Sequence, residues 1–282
     1  MKIRLIAVLA GTLALGSVFA GGSKDSSTQS AAPSSAPSAL PYTIEVGGST
    51  SVTPLMELLA AEYQKAKPNI KININGTGSG DGIKNANVLY QIGMSSRELT
   101  PAEQGQGLTE ETIAIDGIAV IVNSANPVGD LTIEQIRNIY TGAITDWSQV
   151  SGGRKSGRIA VVSREEGSGT RGAFEELLGF QGKLVAGANQ STSTGAIKAG
   201  VAQNPDAIAY ISLGSVDNTI KAIAVGGTAA VNANVVNGSY KIARPFIVLS
   251  GNNVHPESSA FLAWILSPAG QAVVKTSWIA VK

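Results

Sequence analysis

Short β-rich runs alternate with amphipathic helical runs from Tyr42 to the end of this chain, which predicts an α/β architecture. Its 282 residues, 43% hydrophobic and only 15% charged, supply enough apolar material for two modest domains. No cysteine is present and His255 is the one histidine, which excludes thiol chemistry, disulfides and nearly every Cys/His zinc arrangement.

At the amino terminus Lys2 and Arg4 precede an apolar run, Leu5 to Ala20, ending in the small-residue pattern Val18-Phe19-Ala20. That is the pattern of a secretory signal over residues 1–20, and the run falls short of the roughly 20 apolar residues of a membrane span. Residues 21–41 are Ser, Ala, Pro, Gly and Thr with only Lys24 and Asp25 charged, too polar to bury a core, and read as a tether. The junction resembles that of a lipoprotein, but Gly22 stands where the lipidated cysteine would be. Cleavage after Ala20 by an ordinary signal peptidase is therefore expected. The formal charge of +1 becomes −1 without Lys2 and Arg4, with 19 basic residues against 20 acidic, so no global field favours nucleic acid or an acidic membrane.

Beyond the tether, "YTIEVGGS" predicts a strand running into a glycine turn, and "PLMELLAAEYQKAKP" a helix with Leu55, Leu58, Leu59 and Tyr63 on one face. "IKININGTGSG" is a second strand with a glycine-rich end, and "TIAIDGIAVIVN" a longer apolar strand near the crossing into a second lobe. "TIEQIRNIYTG" is amphipathic, "RIAVVS" a strand, and "GTRGAFEELLGF" the start of a helix. "TGAIKAGVAQNPDAIAYISLG" repeats helix then strand, and "FLAWILSPAGQAVVKTS" closes the chain as a helical segment. No internal repeat is visible.

Three strand ends share one chemistry: Gly47-Gly48-Ser49-Thr50-Ser51, Gly76-Thr77-Gly78-Ser79-Gly80 and Gly167-Ser168-Gly169-Thr170. Glycines let the backbone approach a ligand, hydroxyls donate to it, and each loop leads into a helix whose first amides lack partners. Such ends attract anions. One such loop also serves any tight turn or N-cap; three in one chain point to a site.

The third loop satisfies G-x-G-x-x-G at Gly167, Gly169 and Gly172. Two features oppose a dinucleotide. Arg164, Glu165 and Glu166 separate strand from first glycine, and no acid stands about 20 positions on to hold a ribose. The Walker pattern for ATP is absent. Arg164 gives the loop another meaning: its guanidinium grips two oxygens of a tetrahedral oxyanion, while Ser168, Thr170 and the amides of Gly169 and Thr170 donate to the others.

With these residues in place, the chain after the tether resembles the phosphate-binding proteins of ABC phosphate importers. Arg164-x-x-x-Ser168-Gly169-Thr170 matches that family's central anion motif. "GGSTSV" resembles its first phosphate loop, implying Thr50 and Ser51 as ligands; "GTGSGDGI" its second, implying Ser79; "IGMSSREL" its third, implying Ser96. The resemblance implies a two-lobe type II periplasmic-binding-protein fold with the ligand in the interlobe cleft. The lobes are expected over 42–122 with 246–282 and over 123–245. It also implies capture of inorganic phosphate for an ABC permease, no cofactor, no enzymatic activity, a monomer, and a place in the periplasm or on the outer face of the cytoplasmic membrane.

Many relatives carry an aspartate in the third loop where this chain has Ser96. Phosphate near neutral pH keeps a proton and sulfate does not, so an acceptor welcomes the first and repels the second. Asp116, inside "IAIDGIAVIV", is the candidate acceptor, with Arg164 as its expected partner; a capping role at a strand end is the alternative, and Asp81 a weaker candidate. Arg97 is expected to bridge loops, Arg171 to lie along the cleft rim, His255 to sit in a loop before proline, and Trp147, Trp264 and Trp278 to pack. A secreted phosphatase or serine hydrolase would need an activated nucleophile or a metal, and G-x-S-x-G is absent. A binder of sulfate or molybdate is the other alternative.

Overall fold

The computed structural model describes residues 40–282; the signal and tether expectations lie outside them. The first part of the chain runs β1 (Tyr42–Gly48), α1 (Thr53–Ala66), β2 (Ile70–Gly76), α2 (Ser79–Asn85), β3 (Ile92–Ser95), α3 (Pro101–Gln104) and the long β4 (Thr109–Asn123). The middle part runs β5 (Asp130–Leu131), α4 (Ile133–Tyr140), β6 (Ala160–Arg164), α5 (Gly169–Leu178), β7 (Asn189–Ser191), α6 (Thr194–Gln203) and β8 (Ala207–Ser212). It continues through β9 (Ile220–Ala222), β10 (Ala224–Val225) and α7 (Asn232–Val236), and the chain closes with β11 (Ala243–Ser250), α8 (Pro256–Ile265) and α9 (Pro268–Val274).

The α/β alternation holds, with three physical adjustments. On α1 the buried stripe is Leu55, Met56, Leu59, Ala60 and Tyr63, so Leu58 falls beside it and is 46% exposed. The closing helical segment breaks in two, because Pro268 begins a new helix capped by Ser267, whose Oγ accepts from the Gly270 amide at 3.3 Å. Strand β11 has no counterpart in the expected elements: Pro245 speaks against a strand, and the chain accommodates it with a register shift between Phe246 and Ile247.

The main sheet runs β2-β1-β3-β11-β4-β8-β6-β7, with β9 on β4. Its two flanks are parallel, β1 with β2 and β3, and β6 with β7 and β8. The centre is antiparallel, β11 with β3 and β4, and β4 with β8. Two lobes form because β4 serves both sides. Ile113 and Ala114 pack in a core with Leu55, Leu59, Phe246 and Phe261, while Ile118, Val120 and Val122 pack in another with Tyr140, Trp147, Phe174 and Tyr210. On each flank the parallel strands point their carboxyl ends at the gap between lobes, where helices begin and ligands bind.

An aromatic cluster seats α5. Phe174 stacks on Tyr210 with centroids 4.0 Å apart and meets Tyr140 and Phe180 edge-on at 5.1 and 5.9 Å. The helix ends at Gly179 in the left-handed region, φ 71°. We expect Phe174→Ala to destabilise the protein by about 3–5 kcal/mol in denaturant unfolding. A loss below about 1 kcal/mol would show that α5 is held by something other than this cluster.

Candidate functional site

The first-lobe half of the site follows from one close backbone approach. Gly48 ends β1 at φ +135°, and a Cβ there would collide with the Met94 carbonyl oxygen and come within 2.9 Å of the Gly82 Cα. With only hydrogen in that place, β1, β3 and α2 crowd together. The Ser49 amide donates to Met94 O at 2.9 Å, and the Thr77 and Gly78 amides both donate to Gly48 O at 2.8 Å. Three loops are thereby stitched at their roots and their hydroxyls converge. Ser49 Oγ donates to Ser96 Oγ at 2.9 Å, Ser79 Oγ lies 3.3 Å from Ser96 Oγ, and the Ser96 amide donates to Ser79 Oγ at 3.1 Å.

The second lobe brings the start of α5 against this cluster. Ser168 is the N-cap, its Oγ accepting from the Arg171 amide at 3.3 Å. Thr170 Oγ1 lies 2.8 Å from Ser51 Oγ, and the Gly80 amide crosses to Gly167 O at 2.9 Å. Gly169 presses onto the first lobe: a Cβ on it would collide with Ser79 Oγ and lie 2.9 Å from Ser96 Oγ. Ser51, Ser79, Ser96, Ser168 and Thr170 are all buried, while Thr50 is partly so. Ser79 meets Ser96, and Ser51 meets Thr170 with Thr50 beside it, while the Ser168 hydroxyl is engaged by an amide of its own helix.

Arg164, at the end of β6, is 2% exposed. Its Nε donates to Glu165 Oε2 at 2.9 Å and to Ser191 O at 3.2 Å; its Nη2 donates to Glu165 Oε1 at 2.9 Å and to Thr192 O at 3.3 Å. Its amide donates to the Tyr210 hydroxyl at 3.3 Å, which also meets Ser163 Oγ at 2.7 Å. Burial pushes that tyrosine up to about 12, so it stays neutral and serves as a fixed dipole.

Asp116 has a different partner from the one expected. Arg164 is paired with Glu165; Asp116 is paired with Arg244, whose Nη2 and Nε donate to its Oδ2 at 3.1 and 3.3 Å. The reason is register: Asp116 on β4 stands directly opposite Arg244 on β11. Ser212 Oγ donates to Oδ1 at 2.7 Å, and Arg244 Nη1 reaches on to Ser96 O at 3.1 Å. Burial raises the Asp116 carboxyl above its ordinary range, and Arg244 and Ser212 oppose the shift; burial lowers Arg244, and Asp116 opposes that.

Arg244, Ser49, Glu165 and Thr194 are the neighbours that sequence reasoning missed. A signal for Arg244 existed, since an arginine within "IARPFIVLS" needs a buried partner as much as Asp116 does. Arg171 braces its own lobe, donating to Glu175 Oε1 at 2.6 Å and Arg164 O at 3.1 Å. Arg97 pairs with Glu103 at 2.7 Å, and its hydrogen bond holds that carboxyl down to about 2. Asp81 accepts from Asn85 and Tyr90. His255 caps α8 and stacks on Tyr42 at 3.8 Å; Trp147 and Trp278 are buried and Trp264 packs partly buried.

Chemically the cleft is a set of short, neutral donors on two lobes, with guanidinium charge behind them. That inventory suits a small oxyanion held in a dry pocket.

The comparisons with known proteins agree with that inventory. A family model described as a PBP superfamily domain matches residues 26–269. The chain is 45% identical to a phosphate ABC transporter substrate-binding protein from Clostridium perfringens, solved with bound phosphate, with a TM-score of 0.83 over 86% of this chain and 100% of that one. It is 35% identical to an ABC-type phosphate transport receptor from Vibrio cholerae, with a TM-score of 0.70 over 85% of this chain and 100% of the other. A curated relative, the phosphate-binding protein PstS of Borreliella burgdorferi, is 29% identical over 245 residues, 82% of this chain and 87% of its own.

Removing one partner of the central ion pair leaves a buried charge without compensation. Asp116→Ala is expected to cost about 3–5 kcal/mol in equilibrium unfolding. An effect under about 1 kcal/mol would mean that Arg244 finds water or another acceptor.

Proposed function

We propose that this chain, which belongs to the PBP superfamily and within it to the substrate-binding proteins of phosphate ABC transporters, captures inorganic phosphate outside the cytoplasmic membrane and delivers it to the permease. One observation carries this reading: the Ser168-Gly169-Thr170 start of α5 stands against a cluster of first-lobe hydroxyls, with the buried Arg164 four residues ahead of Ser168 at the end of β6. The ligands in this reading are Thr50, Ser51, Ser79, Ser96, Arg164, Ser168, Gly169 and Thr170. Neutral donors suffice because they are pre-aimed and water is excluded when the lobes close. The lobes are joined by β4 and β11, and bending of these strands opens and closes the cleft.

Asp116 acts at one remove in this reading. Its oxygens are engaged by Ser212 and Arg244, and Arg244 in turn holds the Ser96 carbonyl, so the carboxylate sets the third loop. In this reading the lobes are taken to divide at the ion pair, 42–116 with 245–282 and 117–244, close to the expected 42–122 with 246–282 and 123–245. We read the protein as an exported monomer that binds without chemistry, with Gly22 precluding a lipid anchor at that position. Among the described residues no helix is long and apolar enough to cross a membrane.

Ser96 in place of an aspartate favours one rival, a binder of another oxyanion. Calorimetry with phosphate, sulfate and molybdate separates the two: phosphate binding that excess sulfate does not displace supports the reading, and preferential sulfate binding overturns it. Arg164→Ala is expected to weaken phosphate binding by at least about 2 kcal/mol, the scale of a buried charged contact. Near-normal affinity in that variant would remove the clamp from the mechanism. Gly169→Ala, which puts a methyl where Ser79 and Ser96 stand, should lower affinity at least tenfold in the same calorimetry.

A further inference from the structure

The segment Ser191-Thr192-Ser193-Thr194 lies outside every loop the phosphate motif includes, yet it is built into the cleft. Arg164 anchors it, through Nε to Ser191 O and Nη2 to Thr192 O. Ser193 then caps α6, its Oγ accepting from the Ala196 amide at 3.1 Å, which fixes Thr194 as the first residue of a ten-residue helix. From there Thr194 crosses to the other lobe. Its amide donates to Thr50 Oγ1 at 3.3 Å, and its Oγ1 lies 3.3 Å from Thr50 Oγ1 and 3.2 Å from Ser51 Oγ. The residue is 6% exposed.

Ser51 therefore stands between two second-lobe threonines, Thr170 at 2.8 Å and Thr194 at 3.2 Å. A serine hydroxyl has one proton to give and two lone pairs to receive on. If Thr194 and Thr170 both donate to Ser51, its two lone pairs are filled and its proton is left for an anion oxygen, and both contacts exist only while the lobes are together.

We propose that Thr194 is a positioning residue that locks the closed cleft and aims the Ser51 hydroxyl, so that it governs phosphate release and not capture. The inference rests on the phosphate-capture reading. Arg164 gives it a physical link to the ligand, because the guanidinium that grips the anion also holds the two carbonyls from which Thr194 is aimed. Contacts made only after encounter act on the dissociation rate, and association is set by the open form.

The test is stopped-flow binding of inorganic phosphate to the full mature chain. Thr194→Val keeps the shape and removes the hydroxyl. The expected result is a phosphate dissociation rate about three- to tenfold faster, the scale of one neutral hydrogen bond, with the association rate within twofold of the parent. Thr194→Ser should restore slow release. Thr50→Val should also speed release, and the double variant Thr50→Val/Thr194→Val should fall short of the product of the two single effects, since they share one junction. Unchanged dissociation in Thr194→Val, equal losses in both rates, or failure of Thr194→Ser to rescue would each overturn the inference while leaving phosphate capture intact. Absence of phosphate binding by the parent chain would overturn the capture reading itself.

Discussion

The cleft depends on a buried ion pair at the point where the chain passes between lobes. Asp116 and Arg244 face each other across β4 and β11, the antiparallel pair on which the two lobes hang. Each also holds something beyond its partner: Asp116 takes the hydroxyl of Ser212 at the end of β8, and Arg244 takes the carbonyl of Ser96 in the third loop. A pair this deep gains little net stability, since desolvating both charges offsets much of their attraction. What it supplies is geometry. It ties the strand end at Ser212 to the loop at Ser96 through two hydrogen-bonded side chains.

Around that pair the site is assembled from backbone closeness. Gly48 admits the Met94 carbonyl, and Gly169 admits the hydroxyls of Ser79 and Ser96. Side chains this short have few rotamers to lose, so ordering them costs little entropy compared with long cationic chains. Hydroxyls add a second advantage. They bond to one another, Ser49 to Ser96 and Ser51 to Thr170. The polar cluster is thus hydrogen-bonded within the protein itself, which is the condition for burying it at all.

Much of this was legible in the residues. Alternating apolar runs located β1, α1, β6, α5, α6 and β8, because a strand or helix with one buried face must repeat at its own period. The glycine and hydroxyl loops were legible because backbone approach and short donors leave few residue choices. What escaped was whatever depends on register between distant strands. Pro245 disguised β11, and with β11 hidden, nothing placed Arg244 opposite Asp116; Arg164, nearer the anion motif, was then the natural but incorrect partner. Thr194 escaped for a related reason: "STSTG" reads as a polar turn until the packing of α6 turns its first residue toward the other lobe.

The G-x-G-x-x-G of α5 shows how one local pattern serves two purposes. In a dinucleotide fold the middle glycine makes room for a pyrophosphate against the helix start. Here the missing Cβ of Gly169 makes room for the opposite lobe, whose serines come to rest where a side chain would otherwise be. Gly172 does the same further along, a Cβ there meeting the Arg97 Cδ at 3.2 Å. Spacing alone identifies a helix that something must approach closely. Whether that is a nucleotide or a second lobe is decided by the residues ahead of the glycines, where Arg164 is held in place by Glu165, Ser191 and Thr192.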